Sequence, residues 1–197
     1  MTERERAERV FMDADLSPKL AAHSRNVARQ AEELARRWGA APDDAAIAGL
    51  LHDICRGLDR QELLARARKH GLRVDDVDDD AVVPLLHARI AAAELAALGF
   101  SSAVVEAVER HTLGGPGMSL LDEVVFVADG VAPGRTWEGV DEVRRRATES
   151  LDAAAFDLVR RDLERLRRQG RRPHERMLAL HEELRERMDE EHRGTQV

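Results

Sequence analysis

Apolar residues along this chain recur at the spacing of an α-helix, and no segment keeps the alternation that a β-strand requires. The clearest segment runs from Ser17 to Trp38. Ser17 suits a helix N-cap, Pro18 suits the first helical position, and Gly39 ends the segment. Its apolar face contains Leu20, Val27, Ala31 and Leu34. This segment is therefore predicted to be an amphipathic helix.

The remaining segments have the same character. They are predicted as helices over residues 42–54, 59–70, 85–98, 101–111, 120–128, 138–146, 151–169 and 174–187. The composition agrees, because only 3% of the residues are aromatic and the good helix formers Ala, Leu, Arg and Glu dominate. The predicted fold class is all-α.

The overall charge argues against nucleic acid as a partner. The formal net charge is −7, whereas sequence-independent binding of nucleic acid requires a basic stripe. The stretch RRDLERLRRQGRR, residues 160–172, mixes arginine with acidic residues and is predicted to be a solvated helix face. A local basic pocket for a small phosphorylated ligand is compatible with this balance.

The sequence also predicts a cytoplasmic protein. The single cysteine, Cys55, cannot form a disulfide within the chain, which fits a reducing compartment. The start MTERERAERV lacks the apolar core of a signal peptide, and no apolar run approaches the length of a membrane span. A soluble protein without a membrane partner is expected.

The acidic stretch LRVDDVDDDAVVP, residues 72–84, is predicted to be a solvated loop. A calcium site is the alternative interpretation. The spacing lacks the glycine and the terminal glutamate of an EF-hand loop, so the solvated loop is favoured.

Histidine and aspartate recur within or at the ends of the apolar helical segments. The stretch AGLLHDICRG places His52 and Asp53 side by side at the end of one segment. His23, His87, His111 and Asp129 lie in four other segments. Each alone has an ordinary explanation, such as a favourable helix C-terminus for His111 or turn chemistry for Asp129. Buried imidazoles and carboxylates need partners, however, and one shared metal would supply a partner for all of them.

The order of these residues resembles the HD superfamily of metal-dependent phosphohydrolases. More narrowly, the chain resembles the bacterial HD-domain hydrolases that cleave diadenosine tetraphosphate symmetrically into two ADP. The resembling stretches are HSRNVARQAEELA, AGLLHDICRG, PLLHARIAA and VERHTLGGPGMSLLDEVVFVADGVAPGR. The match extends from about residue 17 to residue 184.

The resemblance implies an HD-domain helical bundle with a C-terminal helical tail. It divides the chain into an N-terminal segment (1–16), a phosphohydrolase core (17–135) and C-terminal helices that complete the nucleotide site (136–197). The implied metal ligands are His23, His52, Asp53 and Asp129. Two imidazoles and two carboxylates suit iron or manganese, and cobalt and zinc stay open as alternatives.

The resemblance further implies the catalytic and substrate-binding residues. Asp53, His87 and His111 are the expected catalytic residues. The two histidines would donate hydrogen bonds or a proton to the phosphates, or would help to hold a second metal. The expected contacts to a dinucleoside polyphosphate, or to the product ADP, are Arg56, His87, His111, Thr112, Arg135, Gly170, Arg171 and Arg172. Whether the chain is a monomer or a homodimer stays open.

Several positions depart from the family pattern. Leu20 occupies a position that is often basic, Arg56 replaces a usual lysine, and Ala132 replaces a common acidic residue. In the tail, RPHERMLALH replaces a His-Pro-x-Thr pattern followed by tyrosine. These changes spare the implied metal ligands, so they affect the substrate more than the reaction. The alternatives are therefore an HD phosphohydrolase acting on a nucleoside monophosphate or a cyclic nucleotide, and a catalytically poor nucleotide-binding protein.

Overall fold

The computed structural model describes residues 1–74 and 85–194, and within these ranges the chain forms helices and no strand. The helices are α1 (Glu3–Asp13), α2 (Pro18–Trp38), α3 (Pro42–Leu51), α4 (Arg60–Lys69), α5 (Leu86–Ala97), α6 (Ser102–Arg110), α7 (Leu120–Val131), α8 (Val140–Ala147), α9 (Leu151–Arg168) and α10 (Glu175–Gly194). The predicted all-α fold class is confirmed. The predicted acidic loop falls largely on residues 75–84, which lie outside the described residues.

Two helices form the centre of the bundle. In α3 every residue from Ala45 to Leu51 is buried, and in α7 the same holds from Leu121 to Ala128. Helices α2 and α6 each pack against both of them, and α5 packs against α6. Helix α9 packs against α7, α8 and α10, whereas α4 packs against α5. The apolar segments of the sequence thus surround α3 and α7 and bury them.

Helices α2 and α3 approach each other closely at Gly49. A Cβ atom added there would lie 2.9 Å from the Cα atom of Ala28, which is closer than real Cβ atoms come to backbone. Because glycine has no side chain, the two helices can pack with their backbones nearly in contact. This contact brings the C-terminal end of α3 against the middle of α2, one turn beyond His23.

The ends of three helices differ from those predicted. Helix α3 ends at Leu51 rather than at residue 54, and hydrogen-bonded turns follow it. Helix α7 continues to Val131, so Asp129 lies inside its last turn instead of closing the helix. Helix α10 extends to Gly194, beyond the predicted end at residue 187. Helix ends are set by capping and packing, which apolar spacing does not encode.

Helix α1 lies in the N-terminal segment, for which no helix was predicted. Thr2 caps it and forms a reciprocal capping box with Glu5, and its buried residues Ala7 and Phe11 join the core. The capping box T-x-x-E was the signal for this helix in the sequence. Each helix within the described residues is too short or too polar to cross a membrane.

Candidate active site

Six histidine and aspartate side chains from five helices meet at one place in the bundle. His23 comes from the second turn of α2, and His52 and Asp53 follow the end of α3. The other three are His87 in the first turn of α5, His111 at the end of α6 and Asp129 in the last turn of α7. The structure therefore brings together all six residues of the predicted series.

Four of these side chains point nitrogen and oxygen atoms at a common centre. Nε2 of His23 lies 2.8 Å from Oδ1 of Asp129 and 3.9 Å from Oδ2 of Asp53. Nε2 of His52 lies 3.2 Å from Oδ2 of Asp53 and 3.7 Å from Oδ1 of Asp129. Ligand atoms at about 2.0–2.2 Å from one ion lie roughly 3–4 Å from one another. These separations therefore suit a shared metal ion.

The orientation of two imidazole rings is fixed by backbone carbonyls. Nδ1 of His52 lies 2.8 Å from the carbonyl oxygen of Gly49, and Nδ1 of His111 lies 2.7 Å from that of Val108. A carbonyl oxygen can only accept, so each Nδ1 carries the hydrogen and donates it. In its neutral form each ring presents the lone pair of Nε2 to the cluster, as a metal ligand requires.

Two buried atoms of the cluster have no hydrogen-bond partner among the residues that the structure describes. They are Nε2 of His52 and Oδ1 of Asp53, and both side chains are completely buried. An unpaired buried polar atom costs free energy, so such atoms normally have a partner. A cation between the histidines and the carboxylates would provide one for both atoms. The residues present therefore fit a divalent metal ion.

The charges around the carboxylates favour the ionised state. Burial alone would raise the pKa of Asp53, but the His52 charge and contacts with His111 and His87 lower this pKa far below its usual range. Burial would likewise raise the pKa of Asp129, whereas His23, His52 and Arg135 lower it. Two ionised carboxylates beside one another create a site for positive charge.

His87 and His111 form a second group beside the first. Their Nε2 atoms are 3.2 Å apart, and Nε2 of His87 lies 3.1 Å from Oδ1 of Asp53. The hydroxyl of Thr112 lies 3.0 Å from Nε2 of His111. His52, Asp53 and His111 form a further set whose nitrogen and oxygen atoms all lie within 4.8 Å of one another. Proton donors and acceptors thus lie directly against the candidate metal ligands.

Two arginines contact the carboxylates from the surface. Nη1 of Arg56 donates to Oδ2 of Asp53 at 2.9 Å. Arg135 donates from Nη2 to the carboxylate of Asp129, and from Nε to its carbonyl oxygen at 2.9 Å. Arg144, which no motif in the sequence indicates, donates to the carbonyls of Val131, Ala132 and Arg135. It thereby holds the turn that carries Arg135.

A cavity of about 970 Å³ opens above the cluster. Among the predicted residues, its lining includes Arg56, His87, His111, Thr112, Asp129, Arg135, Arg171 and Arg172. Gly170 does not line the cavity but adopts a φ of 65° in the turn before Arg171. His23, His52 and Asp53 are not part of the lining, but they lie against the lining residues Asp129 and His87. The cavity thus joins the predicted metal ligands to the predicted phosphate contacts.

The lining also includes residues that the sequence analysis missed. Trp137 was not singled out, and Arg161 and Arg165 were predicted to lie on a solvated helix face. Their side chains stay partly exposed, at 36% for Arg161 and 43% for Arg165, but they border the cavity, whereas Arg160, Arg167 and Arg168 on the same helix do not. The spacing of four between Arg161 and Arg165 indicated a shared face. Only the packing of α9 against α7 and α8 turns that face to the cavity.

Comparison with known proteins gives three kinds of match. The model of the HD domain family matches residues 20–134. The protein named bis(5'-nucleosyl)-tetraphosphatase, symmetrical, of Bacillus subtilis (strain 168) is 33% identical over 143 residues, which are 70% of this chain and 74% of that protein. The protein of the same name from Staphylococcus aureus (strain NCTC 8325 / PS 47) is 31% identical, covering 71% of this chain and 73% of that protein.

A crystal structure from Clostridium acetobutylicum gives the structural match. That protein is described as a predicted HD superfamily hydrolase involved in NAD metabolism. The TM-score is 0.83 at 26% sequence identity, and the match covers 95% of this chain and 99% of that one.

Proposed function

Because this chain belongs to the HD domain family of phosphohydrolases, we propose that it is a metal-dependent hydrolase that cleaves dinucleoside tetraphosphates into two nucleoside diphosphates. The observation that carries the proposal is the histidine and aspartate cluster at the floor of a large cavity lined by arginine. The relatives of this name, at about a third identity, support the choice of substrate.

The proposed metal ligands are His23, His52, Asp53 and Asp129. Their nitrogen and oxygen donors suit a divalent transition ion, iron in the first place, with manganese, cobalt and zinc as alternatives. Such an ion would polarise a phosphoryl oxygen and make water a better nucleophile near neutral pH. The backbone carbonyls of Gly49 and Val108 keep the His52 and His111 rings oriented for their roles.

The phosphates are assigned to the residues above the cluster. Guanidinium groups bind phosphate oxygens through two parallel hydrogen bonds, so Arg56 and Arg135 suit the phosphates on either side of the bond to be cut. Thr112 adds a hydroxyl donor beside His111. Arg171 and Arg172, in the turn that Gly170 permits, line the same cavity and are assigned to contacts with the nucleotide.

His87 and His111 are assigned to proton transfer and charge stabilisation. Both rings line the cavity, with Nε2 of His87 at 3.1 Å and Nε2 of His111 at 3.6 Å from Oδ1 of Asp53. His87, or His111 in its protonated form, would therefore carry a hydrogen on Nε2 beside a phosphate bound in the cavity. Donating that hydrogen to the leaving phosphate would neutralise the negative charge that develops as the bond breaks. Asp53 lies between the two groups, because its Oδ1 is 3.1 Å from Nε2 of His87 and its Oδ2 is 3.2 Å from Nε2 of the proposed metal ligand His52.

The products of hydrolysis test the proposal. The metal-loaded protein is expected to convert diadenosine tetraphosphate into ADP alone. Release of AMP together with ATP would contradict the symmetric cut. Cleavage of nucleoside monophosphates or cyclic nucleotides, with diadenosine tetraphosphate left intact, would leave only the broader HD phosphohydrolase function. A panel of dinucleoside polyphosphates and mononucleotides, separated by chromatography, distinguishes these outcomes.

A further inference from the structure

One wall of the cavity is built by residues without an assigned role. The indole nitrogen of Trp137 donates to the carbonyl oxygen of Gly130 at 3.0 Å, one residue after Asp129. The guanidinium carbon of Arg161 lies 4.4 Å from the centre of the Trp137 ring. The ring is therefore fixed relative to a candidate metal ligand and is stacked with a cation. Trp137, Arg161 and Arg165 are called the α9 wall below.

A single carboxylate links the two arginines of the α9 wall. Oδ1 of Asp162 accepts from Nη1 of Arg161 at 3.0 Å and from Nε of Arg165 at 3.2 Å. One negative charge thus faces two positive charges, and a surplus cation is left beside the cavity. Burial, with the charges of Arg165 and Arg135 nearby, lowers the pKa of Arg161, but a guanidinium still carries its proton at neutral pH.

The lining of the whole cavity also carries more positive than negative charge. Among the residues that the structure describes, the side chains of the lining that are charged at neutral pH, histidines aside, are seven arginines and two aspartates. The protein itself has a net charge of −7, so the arginines are concentrated here against the overall balance. A cavity lined by one sign of charge attracts a ligand of the opposite sign. The ligand that fits is therefore a polyanion with several phosphates.

Two groups of lining residues belong to different parts of the helical bundle. Arg56 contacts Asp53, and the lining continues from it to Leu58, Arg60 and Leu63 around the start of α4. Arg135 contacts Asp129, and on its side of the cavity the lining includes the α9 wall. Helix α4 packs against α5, whereas α9 packs against α7, α8 and α10. The cavity therefore extends from the cluster in two directions, past Arg56 towards α4 and past Arg135 towards the α9 wall.

We propose that the α9 wall is a subsite for one nucleoside diphosphate half of the substrate, with the base stacked on the Trp137–Arg161 pair and the phosphates facing Arg165. The inference rests on the proposed function, because a dinucleoside polyphosphate has two bases, one for each of the two parts of the cavity. Aromatic rings and guanidinium planes both stack on nucleic-acid bases, and they do so without selecting one base. Binding at this subsite accordingly tolerates different bases.

Fluorescence of Trp137 tests the subsite without any turnover. The chain has two tryptophans, and Trp38, which donates to the carbonyl of Ala147, does not line the cavity. In the Trp38→Phe variant, ADP is expected to quench the emission of the metal-loaded protein in a saturable way. In that background Arg161→Gln should weaken ADP binding at least about fivefold, in line with loss of a stacking contact.

Arg160→Gln is the matched control. Arg160 neighbours Arg161 on α9 and carries the same charge, but it pairs with Glu164 and lies outside the cavity. This variant should bind ADP within about twofold of the parent, a difference of under half a kcal/mol. For diadenosine tetraphosphate, Arg161→Gln should raise KM more than it lowers kcat. If Trp38→Phe does not fold, calorimetric titration of Arg161→Gln and Arg160→Gln with ADP makes the same comparison.

Equal ADP affinity of the two variants would overturn the subsite. Absence of ADP binding, or binding that leaves the Trp137 emission unchanged, would also overturn it. A different result would show that the subsite exists but that the proposed function is wrong. In that case ADP quenches Trp137 and Arg161→Gln weakens this effect, yet diadenosine tetraphosphate is not split into two ADP.

Discussion

Glu123 is a buried carboxyl group away from the candidate active site. Its Oε2 accepts from Nη2 of Arg187 at 3.1 Å, and the same guanidinium nitrogen pairs with Asp152. Burial raises the pKa of Glu123 to about 8, and Asp152 contributes to the rise while Arg187 opposes it. At neutral pH the group is therefore mostly protonated, and two carboxyl groups share one arginine between α7, α9 and α10.

This raised pKa makes the stability depend on pH. Between the ordinary glutamate pKa and about 8 the folded chain binds more protons at Glu123 than the unfolded chain does. Its contribution to stability is therefore fully present below the ordinary pKa and is lost as the pH rises through about 8. We expect the urea midpoint to fall from mildly acidic to mildly alkaline pH.

Glu123→Gln should flatten that slope, because the amide does not titrate. The exposed Glu164→Gln serves as the control and should keep the slope of the parent protein. Urea unfolding, followed by circular dichroism across the pH range, provides the measurement. An unchanged slope in Glu123→Gln would show that the pH dependence arises elsewhere.

At His52 we expect metal binding and stability to be lost together. An ion that binds only the folded chain stabilises it, so added metal should raise the Tm of the parent protein. His52→Ala removes a central donor and should abolish both the bound metal and this rise. His181→Ala, which changes a histidine stacked on Phe156, should keep both. Full metal content in His52→Ala and Asp53→Ala, measured by elemental analysis, would contradict the assignment.

Arg135 and His111 should matter for turnover more than for metal binding. Removing one charge-assisted contact to the transition state typically costs on the order of 10²–10³ in rate. We expect losses of that size in Arg135→Ala and His111→Ala, with the metal retained. Arg145→Ala, at an exposed arginine paired with Glu142 and Glu149, is the control for turnover. Turnover near the parental rate in Arg135→Ala would remove this residue from the proposed phosphate site.

At the scale of helices, the contact between α2 and α3 positions His23 against His52. Gly49→Ala would place a methyl group against the backbone of Ala28, so the two helices would have to separate. Overpacking of this kind costs about 1–3 kcal/mol, and here it should also weaken metal binding. Gly57→Ala is the control, since its added Cβ meets only an ordinary contact at 3.8 Å.

Calorimetric unfolding with and without metal checks both effects at Gly49. Stability near that of the parent would mean that α2 and α3 can move apart at little cost. Weaker metal binding in Gly57→Ala of the same size would mean that the effect does not come from the α2–α3 contact.

Local sequence signals account for most of the helices and for the histidine and aspartate cluster. Ser17, Pro18 and Gly39 mark the ends of α2, and the apolar spacing marks its buried face. The cluster was predictable because five short apolar segments each carried a histidine or aspartate. The α9 wall was not, because the side of α9 that faces the cavity depends on contacts with distant helices. Periodicity shows which residues share a face and leaves open what that face meets.

At the scale of the whole molecule, the charges are separated between the cavity and the outer surface. Outside the cavity, many arginines pair with neighbouring acidic residues, as in Arg145 with Glu142 and Arg185 with Glu182. A duplex needs a continuous basic face. We therefore expect no appreciable binding of duplex DNA at physiological salt, measured by fluorescence anisotropy. Salt-dependent binding with micromolar affinity would contradict this expectation.

The orientation of the His52 and His111 rings depends on where two helices end. The oxygens of Gly49 and Val108 belong to the last turns of α3 and α6, where carbonyls lack amide partners. Adding a turn to either helix would give those oxygens an amide to bind and would leave the imidazole free to rotate. An engineer who transplants this centre into another bundle must therefore copy the two stops along with the side chains.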